Sequence, residues 1–206
     1  MLLEKLFRAK KKLNLMNQFT GSKKILTAVF ISGRGSNLNS LIKFSKKKSS
    51  SIKINLVISN TKKAKGLKYA DINNIQRKII NFKKKSLAEM KVLSILNKKK
   101  IMFICLAGFM KILSKKFISK FNGKIINIHP SLLPKYKGLN THLRVLQNNE
   151  KFSGCTVHYV NNKVDYGKII MQKKVKISKN ETVYSLNKKI LIEEHRLYPK
   201  AITKIL

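Results

Sequence analysis

The chain has 206 residues, enough for one domain with a substantial core or two very small ones, and its 43% hydrophobic content sets aside a disordered chain. Lys and Arg number 46 against eight Asp and Glu, a formal charge of +38. No apolar run approaches the roughly 20 residues that span a bilayer, and Cys105 and Cys155 lack metal-ligand spacing and are too few for a disulfide scaffold, a usage that suits a reducing cytoplasm.

The first stretch, Met1 to about Lys24, is basic and nearly free of acid, with Leu2, Leu3, Leu6, Phe7, Leu13, Leu15 and Met16 at loosely helical spacing. It lacks the long apolar segment of a secretory signal, and it reads as a basic extension or a transit-like amphipathic segment, the extension being favoured because Thr20-Gly21-Ser22 breaks the pattern. From Ile25 short β-branched runs alternate with amphipathic stretches. Ile25–Ser32 reads as a buried strand, and after a glycine-rich turn Asn37–Phe44 has helical spacing. Ile52–Ile58, Lys78–Phe82, Ile101–Leu106 and Lys124–Ile128 follow as strands, separated by helices expected near Ala64–Asp71, Ser86–Leu96 and Ser114–Phe121. Strands and helices alternating at this spacing predict an α/β fold, a mostly parallel twisted sheet with helices on both faces. Gly154–Val160 and Lys168–Ile177 alternate without an intervening helix, as an antiparallel pair does, and a long helix near Val183–His195 comes last. Residues 25–206 are thus expected to form a single domain.

The charge invites a nucleic-acid reading, since Lys and Arg neutralising phosphates dominate such binding. Two features weigh against it. Only five of the 46 basic residues are arginine, the residue suited to bidentate phosphate recognition, and the lysines come as scattered short runs without interleaved aromatics. Abundant Lys, Asn and Ile are what A/T-rich codons supply, so compositional drift explains the excess and nucleic-acid contact is incidental.

Two segments carry chemistry. Ser32-Gly33-Arg34-Gly35-Ser36-Asn37-Leu38 joins the first strand to the first helix, where backbone N–H groups at a helix N-terminus make an anion site. It is neither a dinucleotide GxGxxG, because Leu38 holds the third glycine position, nor a Walker loop. A small phosphate monoester suits it, and an ordinary turn with Ser36 or Asn37 capping the helix suits it equally. Asn127-Ile128-His129-Pro130-Ser131-Leu132-Leu133-Pro134 follows a predicted strand, at the end where open α/β sheets keep their sites. Strand alternation puts Asn127 and His129 on one face, an amide and an imidazole that can polarise a carbonyl and move a proton. Asp165, one of two aspartates in the chain, lies in a turn; beside His129 it would fix the ring's tautomer and raise its pKa.

These segments, with AGFMKIL, THLRVL, GCTVHYV, DYGKII and EEHRLYP in the same order, resemble the phosphoribosylglycinamide formyltransferases, folate-dependent enzymes of purine synthesis, over about Ile25–Ala201. The resemblance implies a Rossmann-like formyltransferase fold, 10-formyltetrahydrofolate as co-substrate, 5-phosphoribosylglycinamide as acceptor, no metal, and a cytoplasmic enzyme. It implies that Asn127, His129 and Asp165 are catalytic. It also implies that Gly35, Ser36 and Asn37 hold the ribosyl phosphate and that Glu194 contacts the glycinamide or ribose end. Met110, Lys111, Ile112 and Leu113 would line the folate pocket, with Asn161, Val164 and Asp165 as its other wall, Asn127 among the folate contacts and Lys85 near the folate tail. By residue type alone, Met110, Ile112 and Leu113 read as core, and His142, His158 and His195 as structural or outlying groups. The same core is similar to methionyl-tRNA formyltransferase, whose additional C-terminal domain is not expected after Leu206, and to formyltetrahydrofolate hydrolase, whose regulatory domain about 24 residues would not supply. A basic nucleic-acid-binding protein on a decayed enzyme scaffold is the non-enzyme alternative. Lys137 stands where the family usually has proline, and relatives often continue past the terminal helix.

Overall fold

A computed structural model describes residues 24–206; the expected N-terminal extension lies outside the described residues save for Lys24. Seven strands form one sheet: β1 Ile25–Ile31, β2 Ile52–Ser59, β3 Arg77–Ile79, β4 Phe103–Leu106, β5 Lys124–His129, β6 Phe152–Tyr159 and β7 Ile169–Lys176. Their spatial order is β3-β2-β1-β4-β5-β6-β7. The first five run parallel, and β6 and β7 join antiparallel, as expected.

Side-chain alternation along the strands builds two cores from one sheet. Val29 and Ile31 of β1, Phe103 and Cys105 of β4, and Ile126 and Ile128 of β5 pack on one face against α1 (Ser36–Ser45) and α6 (Val183–Ile205). Ala28, Phe30, Ile104, Leu106 and Ile125 point the other way, onto α3 (Lys85–Lys98) and α4 (Lys115–Lys120). Both faces are covered, which is why the central strands read as unbroken apolar runs. Two further helices, α2 (Leu67–Ile72) and α5 (Thr141–Gln147), complete the described residues. Among the described residues no helix is long and apolar enough to cross a membrane.

Several boundaries differ from expectation, each for a physical reason. β3 spans only Arg77–Ile79, all three residues exposed at a sheet edge, while Ile80, whose N–H still donates to Ser59 O at 2.9 Å, and Phe82 fill the α3 side of the core. α5 was not foreseen; seven residues after Asn140, whose φ is 54°, are too few for periodicity to show. α6 runs ten residues past His195 and through Pro199. Proline has no N–H for the carbonyl four residues back, and that carbonyl, His195 O, accepts instead from Ser40 Oγ of α1 at 2.9 Å. The same helix is pinned to the sheet by Tyr198, whose buried hydroxyl donates toward Leu106 O (3.0 Å) and Ile126 O (3.2 Å) at the ends of β4 and mid-β5.

Candidate active site

A cleft of about 950 Å³ opens where β4 and β5 end. Open parallel sheets place such clefts at their carboxyl edge, because the connections there diverge to opposite faces. Its floor is the end of β5, and its walls come from Gly108–Leu113, Gly138–Leu143, the turn through Asp165, and α6 from Val183 to Glu194.

Beside the cleft, the turn after β1 is set by Gly35. Its φ of 75° and its contact with Gly66, where a Cβ would lie 2.4 Å from Cα, admit no side chain. Gly35 is also the N-cap of α1, and no side chain caps it. The reading in which Ser36 or Asn37 caps the helix is therefore corrected, and the N-terminal dipole faces outward uncapped. Asn37 turns inward instead. Only 8% exposed, it donates from Nδ2 to Glu194 Oε2 at 2.7 Å, and its Oδ1 has no partner. Glu194 is as buried, and burial pushes its carboxyl up to about 7, with the Asn37 hydrogen bond pulling the other way. Both line the cleft; Gly35 and Ser36 stand behind Asn37, outside the lining.

Asn127 and His129 share a face of β5, as the alternation predicted, and Asp165 reaches both. Asp165 Oδ2 is 3.3 Å from His129 Nδ1 and accepts the Gly138 N–H at 2.9 Å, while Oδ1 lies 3.5 Å from Asn127 Nδ2. His129 Nε2 donates to the carbonyl of Tyr136 at 2.9 Å. That bond assigns the tautomer and leaves Nδ1 as the nitrogen facing the carboxylate. Asp165 has a φ of 54°, a region that Asn and Asp tolerate best among residues with a Cβ.

The electrostatics give Asp165 the expected direction and burial the larger effect. His129 is 5% exposed. Burial lowers its pKa below the ordinary imidazole range, outweighing the Tyr136 hydrogen bond and the Asp165 charge, which raise it. Asp165 therefore does not hold the ring charged. The 3.3 Å separation from Nδ1 is longer than the 2.7–2.9 Å typical of a charge-assisted bond, as suits a neutral ring. For Asp165, burial pushes the carboxyl up. The His158 ring 3.5 Å away, the Gly138 N–H and the nearby His129 ring outweigh it and hold the group below the ordinary carboxylate range. The result is a neutral base beside a persistent anion, with an acceptor at each ring nitrogen for any proton it takes up.

His158, expected to be an outlying group, belongs to the cluster. Its Nδ1 donates to Tyr159 O at 2.8 Å, so Nε2 faces the Asn127 amide (3.3 Å) and Asp165 Oδ1 (3.5 Å). The antiparallel register that sets Asn127 opposite His158 brings it there, and no spacing in the sequence announces that pairing. The carbonyl of Tyr136 was missed for a different reason: a backbone acceptor leaves no residue-type signal. Gly167 closes the Asp165 turn against β6, where a Cβ would lie 1.5 Å from Tyr159 O.

The expected pocket segment divides by orientation. Met110 and Ile112 are 61% and 62% exposed on the cleft wall, whereas Leu113 reaches the lining from the core, so the core reading holds only for Leu113. Lys111, Asn161 and Val164 also line the cleft. Lys85 does not: it is the exposed first residue of α3, outside the lining. Exposed Leu139 and Val164 extend the apolar rim above the polar floor. Among the described residues, no group of three or more His, Cys, Asp or Glu side chains is arranged to hold a metal ion.

Residues 24–202 match the family model described as formyl transferase. The chain is 41% identical over 193 residues to the trifunctional purine biosynthetic protein adenosine-3 of Homo sapiens, covering 92% of this chain but only 19% of that protein's length. It is 40% identical to the phosphoribosylglycinamide formyltransferase of Haemophilus influenzae, covering 85% of this chain and 84% of that one. The crystal structure of phosphoribosylglycinamide formyltransferase from Anaplasma phagocytophilum superposes with a TM-score of 0.83 at 42% identity, covering 88% of this chain and 86% of that one.

Proposed function

This chain belongs to the formyl transferase family, and we propose that it transfers a formyl group from 10-formyltetrahydrofolate to the amine of 5-phosphoribosylglycinamide. The observation that carries this reading is the convergence of Asn127, His129 and Asp165 on the floor of an apolar-walled cleft whose far side holds Asn37 and Glu194. The bound folate supplies a formyl carbon already at the oxidation level to be transferred.

The chain's own groups do the rest. The Asn127 Nδ2–H bonds to His158 and Asp165 are long, 3.3 and 3.5 Å, so a developing oxyanion is a stronger acceptor and displaces them. His129, neutral at rest, accepts at Nδ1 the proton that the attacking amine loses. Asp165 stabilises the imidazolium so formed and orients it to return the proton to the departing nitrogen, directly or through a water. Glu194 faces the acceptor's ribose or glycinamide end, and the uncapped start of α1 at Gly35 and Ser36, with Asn37, takes its phosphate. Met110, Ile112 and Val164 flank the folate rings, with Lys111, Leu113 and Asn161 completing that wall. Holding both substrates in one cleft removes the entropic cost of their encounter from the chemical step.

We take residues 25–206 as the formyltransferase domain, acting on small molecules in the cytoplasm, with nucleic-acid contact incidental to the lysine excess. The buried free thiols of Cys105 and Cys155 suit a reducing compartment. A continuous assay with 5-phosphoribosylglycinamide and 10-formyltetrahydrofolate tests the reading. Formylation of the amine is expected; folate hydrolysis without it, or neither, would refute it.

A further inference from the structure

Tyr136 is the residue whose carbonyl fixes the His129 tautomer, and it does so from a backbone conformation that a tyrosine rarely adopts, φ 56°. Left to itself a non-glycine residue leaves this region for a right-handed or extended one, and the carbonyl turns with it. Something outside the cleft must hold it.

Two side chains do. Tyr136 Oη donates to Glu150 Oε1 at 2.8 Å, fixing the ring from the far side of the loop. Arg144 of α5 lies over the same ring, its Cζ 5.5 Å from the centroid, and donates from Nη1 to the next carbonyl, Lys137 O, at 2.7 Å. On the other side of Tyr136, Lys135 O accepts from Ser131 Oγ at 2.7 Å. The carbonyls before and after Tyr136 are thus tied down, and its own is the one aimed at His129 Nε2. Two residues on, the Gly138 N–H holds the Asp165 oxygen that faces His129 Nδ1. One short loop therefore positions both partners of the imidazole.

We propose that Glu150, which lines no part of the cleft, is a positioning residue for the reaction: through Tyr136 it sets the tautomer and orientation of His129. This rests on the reading of His129 as the proton-exchanging group. The titratable and charged groups facing that ring are Asp165 from the turn after β6, His158 from β6 itself, and His142 and Arg144 from α5. Glu150 is not among them. The neighbouring Lys135–Glu150 ion pair is a separate matter, since Lys135 is largely exposed and contributes little there.

The test is NMR of the His129 ring, alongside steady-state kinetics, in Glu150→Ala, Glu150→Gln, Tyr136→Phe and Lys135→Ala. In Glu150→Ala and Tyr136→Phe the ring loses its fixed acceptor. The Nε2–H tautomer should give way to a mixture, the His129 pKa should fall below its wild-type value, and kcat should drop about tenfold or more with KM little changed. Glu150→Gln keeps an oxygen for the Tyr136 hydroxyl and should behave as wild type, as should Lys135→Ala. A wild-type His129 titration and tautomer in both Glu150→Ala and Tyr136→Phe overturns the proposal, and so does a Glu150→Gln variant that fails as fully as Glu150→Ala. Should Glu150→Ala not fold, Tyr136→Phe decides alone. The NMR arm separates this proposal from the function reading: a shifted His129 in a protein that formylates nothing leaves the positioning role standing and removes the assigned reaction.

Discussion

The Asn37 amide nitrogen and the Glu194 carboxylate meet at 2.7 Å across 157 residues of sequence, both buried, at the seam between the turn after β1 and the last helix. The bond closes one side of the cleft. It also leaves Asn37 Oδ1 buried without a partner.

That burial predicts a pH signature in Glu194→Gln. The wild-type carboxyl ionises near 4.5 when unfolded and at about 7 when folded. Its contribution to stability is therefore full below about pH 4.5 and is lost as pH rises towards 7, because over that window the unfolded chain sheds a proton that the folded chain keeps. Glutamine has no proton to lose. The stability of Glu194→Gln relative to wild type should rise across pH 4.5 to 7 and level off above it, as read from denaturant midpoints at several pH values. A difference flat with pH would mean that the buried carboxyl is not perturbed.

Asp165→Asn should keep the fold, since asparagine tolerates a φ of 54° and can still accept the Gly138 N–H. What it loses is the anion beside His129 Nδ1. The His129 pKa, already lowered by burial, should fall further, and turnover should drop by about 10²-fold, the scale of a general acid–base contribution. NMR titration of His129 with single-turnover rates checks both. An unchanged pKa with collapsed activity would assign Asp165 to loop geometry alone.

Gly35→Ala and Gly33→Ala make a matched pair in one turn. An alanine at 35 must adopt a φ of 75° and would meet Gly66 Cα at 2.4 Å, whereas nothing lies within 4 Å of a Cβ at 33. Gly35→Ala should cost about 3 kcal/mol or more of stability, and Gly33→Ala less than about 1 kcal/mol, by urea denaturation. Equal losses would mean that the Gly35–Gly66 contact relaxes.

Ser40→Ala addresses the proline in α6. Removing the hydroxyl leaves the His195 carbonyl without its donor, because Pro199 has no N–H to give. The expected loss is about 1–2 kcal/mol, and Ser40→Thr, which retains a hydroxyl, should recover part of it. Chemical denaturation of the two variants checks it. A neutral Ser40→Ala would show that solvent satisfies the carbonyl.

The sequence alone determined what depends on local pattern. Runs of β-branched residues between amphipathic stretches specified the parallel sheet with helices on both faces, and the missing helix after Gly154 specified the antiparallel end. Asn127 and His129 were legible as a pair because a strand alternates with a period of two, and the turn through Gly35 because only glycine suits such backbone. Tertiary structure decided what depends on register and burial. The pairing of Asn127 with His158, the reach of Asp165, and the Tyr136 carbonyl on His129 all join residues whose separation in sequence carries no period. Burial, set by packing from both faces of the sheet, outweighed the Asp165 charge, which still acts in the expected direction, and lowered the His129 pKa. It raised Glu194 for the same reason, since desolvation of a charge depends on everything packed around it and not on the residues beside it in the chain.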